Sequence, residues 1–225
     1  MKRVSLGFDL RIKPELQTED LPPKDQRLVP RLHSPISADP AIWLWPEGVD
    51  LFHDGILPDF ANPLHLAKDI NLLLAAYEKR GISEASWSRV CLTTSETNIV
   101  ALVGRFGLGH FEDRPTEETL LSDEWQLRGF DVVDLDGLIS GLKGCGYSEP
   151  TWSKLRYLFG SALNEFGLFG DCSSAAEFAE VRGLQIKVHA PFVVVGVLTY
   201  GDPRNDGVER ASTCGQAVRN PDRRD

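Results

Sequence analysis

The sequence has few of the residue patterns that build metal centres or covalent catalytic sites. Its 225 residues include four cysteines and five histidines, and these form no CxxC, HxH or HExxH spacing. Structural zinc sites and zinc proteases are therefore disfavoured. The GxSxG, GxGxxG and P-loop patterns are also absent. We therefore predict no catalytic residue, no metal ligand set and no cofactor.

Long apolar runs are also missing. The longest, FVVVGVL at 192–198, suits a buried strand and is far too short to cross a bilayer. Asp9, Arg11 and Lys13 interrupt the first residues, which argues against a signal peptide. The cysteines are widely spaced, and reduced thiols are the default for such a pattern. We expect a cytoplasmic protein with no membrane partner.

Positive charge is scarce relative to negative charge. The chain carries 24 basic and 33 acidic side chains, a net charge of −9. Such a field repels nucleic-acid phosphates, and the basic residues are scattered without an RNA-binding motif. We therefore predict no nucleic-acid partner and favour a basic protein as partner.

Hydrophobic periodicity predicts alternating strands and helices. Residues 3–12 alternate in the manner of a half-buried strand. Asn62, Pro63 and Gly81 are suited to the ends of one helix. The predicted strands are 3–12, with Val4, Leu6, Phe8, Leu10 and Ile12 on one face, then 88–94 and 99–107 as a hairpin, and 191–200 as a central strand. The predicted helices are 62–81, 135–143, 149–166 and 173–188.

These elements predict an α+β fold, a mixed or antiparallel sheet packed against several helices. No linker divides residues 41–200, so we expect a single domain over 1–200. Residues 13–40 contain many prolines and are expected to form a long loop. Residues 201–225 lack hydrophobic periodicity and are expected to be a disordered tail. No internal repeat is visible.

A pair of aspartates leaves one catalytic alternative open. The stretch 132–137, VVDLDG, resembles the aspartate pair of haloacid-dehalogenase-like phosphatases. That resemblance implies a magnesium-dependent hydrolase in which Asp134 attacks phosphorus and Asp136 serves as acid and base. The other reading makes Asp134 the N-cap of a helix over 135–144, with Asp136 favouring the positive helix end. We favour the capping reading.

The acidic block at 108–136 is the main functional feature. It contains nine acidic residues against two arginines, interleaved with apolar and aromatic residues. Aromatic anchors surrounded by charge of one sign are typical of protein interfaces, and acid steers a basic partner towards them. The predicted contact residues are Glu112, Asp113, Glu117, Glu118, Asp123, Glu124 and Trp125.

This layout resembles that of bacterial immunity proteins, the antidotes of toxins used between competing cells. The stretches 128–147 and 189–200 also resemble segments of bacterial proteins of this kind. The resemblance implies a non-enzymatic binding protein that neutralises a basic toxin domain by covering it. A third possibility is a structural subunit of a larger assembly, in which a neighbour would bury the segment of Trp43 and Trp45.

Overall fold

The computed structural model describes residues 2–12, 66–79, 81, 87–106, 113–134, 140–142, 149–185 and 191–201. The strands are β1 (Arg3–Ile12), β2 (Trp87–Ser95), β3 (Trp125–Asp134) and β4 (Phe192–Tyr200). The helices are α1 (Ile70–Glu78), α2 (Glu96–Phe106), α3 (Glu117–Ser122), α4 (Glu149–Phe159), followed by a 3-10 turn (Gly160–Ala162), and α5 (Cys172–Gln185). No helix in these ranges is long and apolar enough to cross a membrane.

The four strands form one antiparallel sheet in the order β1-β2-β4-β3. With its accompanying helices the sheet confirms the predicted α+β class. The apolar strand β4 is central, as its sequence predicts, because a strand covered on both faces needs apolar side chains on both. The segments 13–40 and 202–225 and the pair Trp43 and Trp45 lie outside the described residues.

Apolar clusters cover both faces of the sheet. Directly paired residues share a face, so Val132 and Val194 belong to one face, and Val133 and Val193 to the other. On the first face, Val132 and Val194 pack with Phe178 of α5 and Leu155 of α4. The opposite face packs against α2 through Ile99 and Leu102, among others.

A β-bulge at the start of β1 corrects the predicted single apolar face. The pairing with β2 shifts register between Ser5 and Gly7. Val4 and Leu6 consequently pack in the cluster that contains α2, whereas Phe8 packs with Trp125 on the other face. Strict alternation fails here because one extra residue in a strand inverts the facing of every residue beyond it.

The predicted hairpin is wrong in its second strand, because the chain after β2 forms helix α2. The Ser95 hydroxyl accepts a hydrogen bond from the Asn98 amide at 3.2 Å, as an N-cap does. Ile99 and Leu102 face the core at helical spacing, while Val100 is 73% exposed. The β-branched residues favoured a strand by propensity, but the cap and the tertiary packing decide the outcome.

Two other helix predictions need correction. Helix α1 begins at Ile70 instead of Asn62, with Asp69 as its N-cap. Leu66 and Ala67 are extended against β1 instead, and Ala67 exchanges two backbone hydrogen bonds with Phe8. In the predicted helix 135–143, the described residues 140–142 form a bridge and a turn, since Gly141 donates its amide to the Val132 carbonyl. The helices predicted over 149–166 and 173–188 are confirmed as α4, which ends earlier at Phe159, and α5, which begins one residue earlier at Cys172 and is described as far as Gln185.

The strand pair β1–β2 and the strand pair β3–β4 have the same pairing register, although the sequence shows no evident repeat. The first residue of β1, Arg3, pairs with the last residue of β2, Ser95. In the same way, the first residue of β3, Trp125, pairs with the last residue of β4, Tyr200. The repeat continues to the bulges, where Gly7↔Leu92 corresponds to Gly129↔Val197. In the centre of the sheet, Leu92 of β2 pairs with Val197 of β4. These two residues occupy equivalent positions in the two halves, so the symmetry maps this pair onto itself. A pseudo-twofold axis therefore passes through the middle of the sheet.

The segments beside the edge strands obey the same symmetry. Phe8 exchanges backbone hydrogen bonds with Ala67, and Phe130 exchanges them with Phe169. Two residues beyond each of these partners, an aspartate accepts an amide hydrogen bond at the start of a helix, Asp69 for α1 and Asp171 for α5. The only identical stretch inside the paired strands is Gly-Phe-Asp, at 7–9 and 129–131. The structure therefore repeats its halves although the sequence shows no evident repeat.

Candidate functional site

The acidic block folds as α3 and the first residues of β3. Thr116 is the N-cap of α3, and its hydroxyl accepts from the Thr119 amide at 3.1 Å. Glu117 and Glu118 stand in the first turn, where carboxylates favour the positive end of the helix dipole. The two neighbours then point in different directions, because adjacent positions on a helix do not share a face.

Glu117 points into the protein. One of its oxygens accepts a hydrogen bond from Arg3 Nε at 2.9 Å and another from the Thr93 hydroxyl. Arg3 also donates to the Thr93 carbonyl at 2.8 Å, and its guanidinium lies 5.1 Å from the ring centre of Phe130. The side chains of Arg3 and Glu117 are 8% and 15% exposed. Glu117 therefore fastens α3 to the sheet, and its charge is balanced inside the molecule.

Trp125 also has a structural role. Only 6% of the residue is exposed, and its ring lies 5.5 Å from that of Phe8 and 5.6 Å from that of Tyr200. The sequence favoured Trp125 as an exposed aromatic anchor. The structure instead places it in the core directly beneath the acidic residues.

The turn between α3 and β3 presents two carboxylates to solvent. Asp123 is the C-cap of α3, and Glu124 is the one non-glycine residue with a positive φ, 68°, in the described part of the chain. The Glu124 carboxylate accepts a hydrogen bond from the Tyr200 hydroxyl at 2.8 Å. This hydrogen bond is the main reason that the pKa of Tyr200 is raised. Arg89 lies 4.9 Å from the Tyr200 ring centre on this side of the sheet.

Two exposed apolar side chains accompany these carboxylates. Leu121 of α3 is 45% exposed, and Tyr200 at the end of β4 is 37% exposed. We name the exposed set the acidic surface; it consists of Glu118, Leu121, Asp123, Glu124 and Tyr200. Sequence reasoning missed Leu121 and Tyr200 as surface residues, because only the packing of α3 and the pairing of β3 with β4 expose them.

The remaining predicted contact residues lie at or beyond the border of the described region. Asp113 is exposed, one residue before Arg114. Arg114 donates a hydrogen bond to the Leu6 carbonyl at the bulge of β1. Burial lowers the pKa of Arg114, since desolvation disfavours its charged form. Glu112 lies outside the described residues.

The aspartates proposed for phosphoryl chemistry are placed as follows. Asp134 is the last residue of β3 and is 2% exposed, while Asp136 lies outside the described residues. The nearby Asp131 is fully buried and accepts hydrogen bonds from the Ser140 hydroxyl and the Val132 amide. Within the described ranges, no three His, Cys, Asp or Glu side chains are grouped as a metal site would require.

The two described cysteines, Cys91 and Cys172, are free thiols. Burial is the main cause that raises the pKa of Cys91 to about 12. A thiol in this state stays protonated near neutral pH and is a poor nucleophile. Cys91 therefore serves as a small apolar core residue under the acidic surface, between Phe8 and Leu198.

Comparisons of the whole chain with models of known protein families, with curated proteins and with solved structures found no match.

Proposed function

We propose that the chain is a non-enzymatic binding protein that neutralises a basic partner protein, in the manner of an immunity protein acting on a toxin domain. The observation that carries the proposal is the composition of the acidic surface. The exposed carboxylates of Glu118, Asp123 and Glu124 accompany the exposed side chains of Leu121 and Tyr200 on α3, the following turn and the end of β4. Apolar contacts supply affinity in such interfaces, and surrounding charge selects the partner and speeds its approach.

Rigidity beneath the surface supports the same proposal. The largely buried Arg3–Glu117 pair fixes α3. The rings of Phe8 and Trp125 meet at a tilt and those of Trp125 and Tyr200 meet edge to face, which fixes the turn and the end of β4. A surface that is held in place before binding loses little conformational entropy when the partner arrives. This placement suits tight occlusion of a second protein.

The proposal is tested by reversing the exposed charges. The triple variant Glu118→Lys, Asp123→Lys, Glu124→Lys removes the acidic surface and leaves Glu117 in its internal pair. Glu78→Lys, Glu177→Lys, Glu180→Lys is the matched control, because it changes the net charge equally at exposed positions of α1 and α5. Each purified protein is coupled to resin and incubated with lysate of the native cell at low and moderate salt.

A basic protein retained by the wild type and the control, and lost by the acidic-surface variant, supports the proposal. With that partner purified, we expect the association rate of the variant to fall by roughly ten- to a hundredfold, because electrostatic steering is removed. The rate for the variant should also depend less on salt. Equal retention by both triple variants, or no retained protein at either salt concentration, argues against the proposal.

A further inference from the structure

The two edges of the sheet differ at positions that the pseudo-twofold axis makes equivalent. On β1, the segment Pro115–Thr116 covers the edge: Thr116 forms a bridge with Val4, and the Ser5 amide donates to the Pro115 carbonyl at 3.0 Å. The equivalent residues of β3 are Gln126 and Leu127. Among the residues that the structure describes, no backbone segment pairs with them on the outer side.

The backbone groups of Leu127 point away from the sheet. Phe130 exchanges its outward hydrogen bonds with Phe169, and the Arg128 carbonyl accepts one from Asn164 at 2.7 Å. Leu127 corresponds to Ser5, whose amide points outward to Pro115. Its position opposite Leu198, next to the bulge, gives Leu127 the same orientation. Within the described ranges, the outer edge of β3 is thus covered from Arg128 onward, and no segment pairs with it at Leu127.

The open edge adjoins the acidic surface. Gln126 is exposed and follows directly after Glu124 and Trp125, while the Leu127 side chain is half-buried. An uncovered strand edge is a template for a further strand from another chain. Carboxylates at Glu118, Asp123 and Glu124 favour a strand that carries lysine or arginine and disfavour a second copy of this acidic chain.

We infer that the partner docks an extended segment bearing lysine or arginine onto the edge of β3 at Gln126–Leu127, adding a fifth strand to the sheet. This inference rests on the proposed function and specifies how the acidic surface takes its partner. Main-chain hydrogen bonds would hold the segment, and its basic side chains would reach the carboxylates. The pairing of Pro115–Thr116 with the edge of β1 is an example, within the same molecule, of the strand addition proposed for β3.

The first test is amide hydrogen exchange followed by NMR on the full chain. In the free protein, we expect the Leu127 amide to exchange freely and the Ser5 amide to be protected. The probe is a synthetic octapeptide of alternating lysine and threonine, which should protect the Leu127 amide. The same peptide N-methylated on every residue keeps its charge and its carbonyls, but neither of its edges can pair with a strand, and it should not protect Leu127. A Leu127 amide that is already protected in the free protein would overturn the inference.

The second test separates the strand edge from the charge. Leu127→Pro removes the outward N–H, and Leu127→Ala shortens the side chain but keeps that N–H; proline is tolerated on edge strands. We expect Leu127→Pro to bind the octapeptide roughly tenfold more weakly than Leu127→Ala, since one hydrogen bond and its geometry are lost. Circular dichroism checks that both variants are folded, and the N-methylated peptide gives the same information without a substitution.

The outcomes separate this inference from the proposed function. In one outcome, both Leu127 variants bind the octapeptide equally, the wild type binds both peptides equally, and the acidic-surface triple variant binds neither peptide. The acidic surface is then used without strand addition, and the inference fails while the proposed function stands. If the triple variant also binds the octapeptide as the wild type does, then the acidic surface is not the recognition element and both fail.

Discussion

At the scale of single residues, neighbouring acids have different roles. Glu117 and Glu118 are adjacent in a charge run, yet one is paired with Arg3 inside the protein and the other is exposed to solvent. Thr116, as the N-cap, fixes where helix α3 begins and therefore which of the two glutamates faces the sheet. Composition alone identifies the charge run and assigns the same role to all its members.

Glu117→Gln should destabilise the fold, and Glu118→Gln should not. The first change leaves the mostly buried Arg3 guanidinium without its counter-charge, which costs about 2 kcal/mol for a hydrogen bond to a charged group. The second change alters an exposed side chain and should stay within about 0.5 kcal/mol of the wild type. Urea denaturation followed by tryptophan fluorescence measures both, and equal stabilities would contradict the role assigned to Glu117.

At the scale of elements, helix α5 depends on an ionised cap. The Asp171 carboxylate accepts hydrogen bonds from the hydroxyls of Ser173 and Ser174 and from the Ser174 amide. These bonds favour the charged form and lower the pKa of Asp171 from 3.8 to about 2. A lowered pKa stabilises the fold fully above the ordinary value, and the contribution is lost as the pH falls towards 2.

We therefore expect Asp171→Ala to lower the thermal midpoint at pH 7 and to weaken the pH dependence of stability between about pH 4 and 2. Asp171→Asn is the control, because it keeps an oxygen acceptor for the cap and cannot ionise. Thermal unfolding followed by circular dichroism over this pH range measures the effect. An unchanged acid limb in both variants would show that the cap does not contribute to acid stability.

At the scale of the whole molecule, the pseudo-twofold axis makes two glycines equivalent. Gly7 and Gly129 have φ of +147° and +143°, and each lies at a bulge. A Cβ at Gly7 would lie 2.6 Å from Leu66 Cβ, and one at Gly129 would lie 2.7 Å from the Phe169 carbonyl oxygen. Neither backbone conformation suits a side chain.

Gly7→Ala and Gly129→Ala should each destabilise the protein by about 2–3 kcal/mol, because strained backbone and overpacking add together. Gly183→Ala in α5 is the contrasting variant: nothing lies within 4 Å of its new Cβ, and alanine should stabilise the helix by roughly 0.5–1 kcal/mol. Chemical denaturation of the three proteins gives the comparison. A large difference between the two bulge variants would show that the halves are not energetically equivalent.

Sequence patterns predicted the fold class, the central position of β4 and the helices α4 and α5, because these depend on local periodicity and on burial. The same patterns misassigned α2, whose β-branched residues are overruled by the Ser95 cap and the packing of Ile99. They also missed the bulges, since glycine in a strand does not reveal its backbone angle. Within the acidic block the charge was readable, but the burial of Trp125 depends on Phe8, more than a hundred residues away in the sequence.

The strand order has a consequence for the rate of folding. Neither outer strand pair is a hairpin, because the chain runs from Ile12 to Trp87 before β1 meets β2, and from Asp134 to Phe192 before β3 meets β4. Each strand pairing requires the long intervening segment to form a closed loop, and the chain entropy lost in this step is offset only once the strands are in contact. Topologies dominated by such distant contacts fold on the order of milliseconds to seconds. We therefore expect the formation of each outer strand pair to be limited by the ordering of the long segment between its two strands.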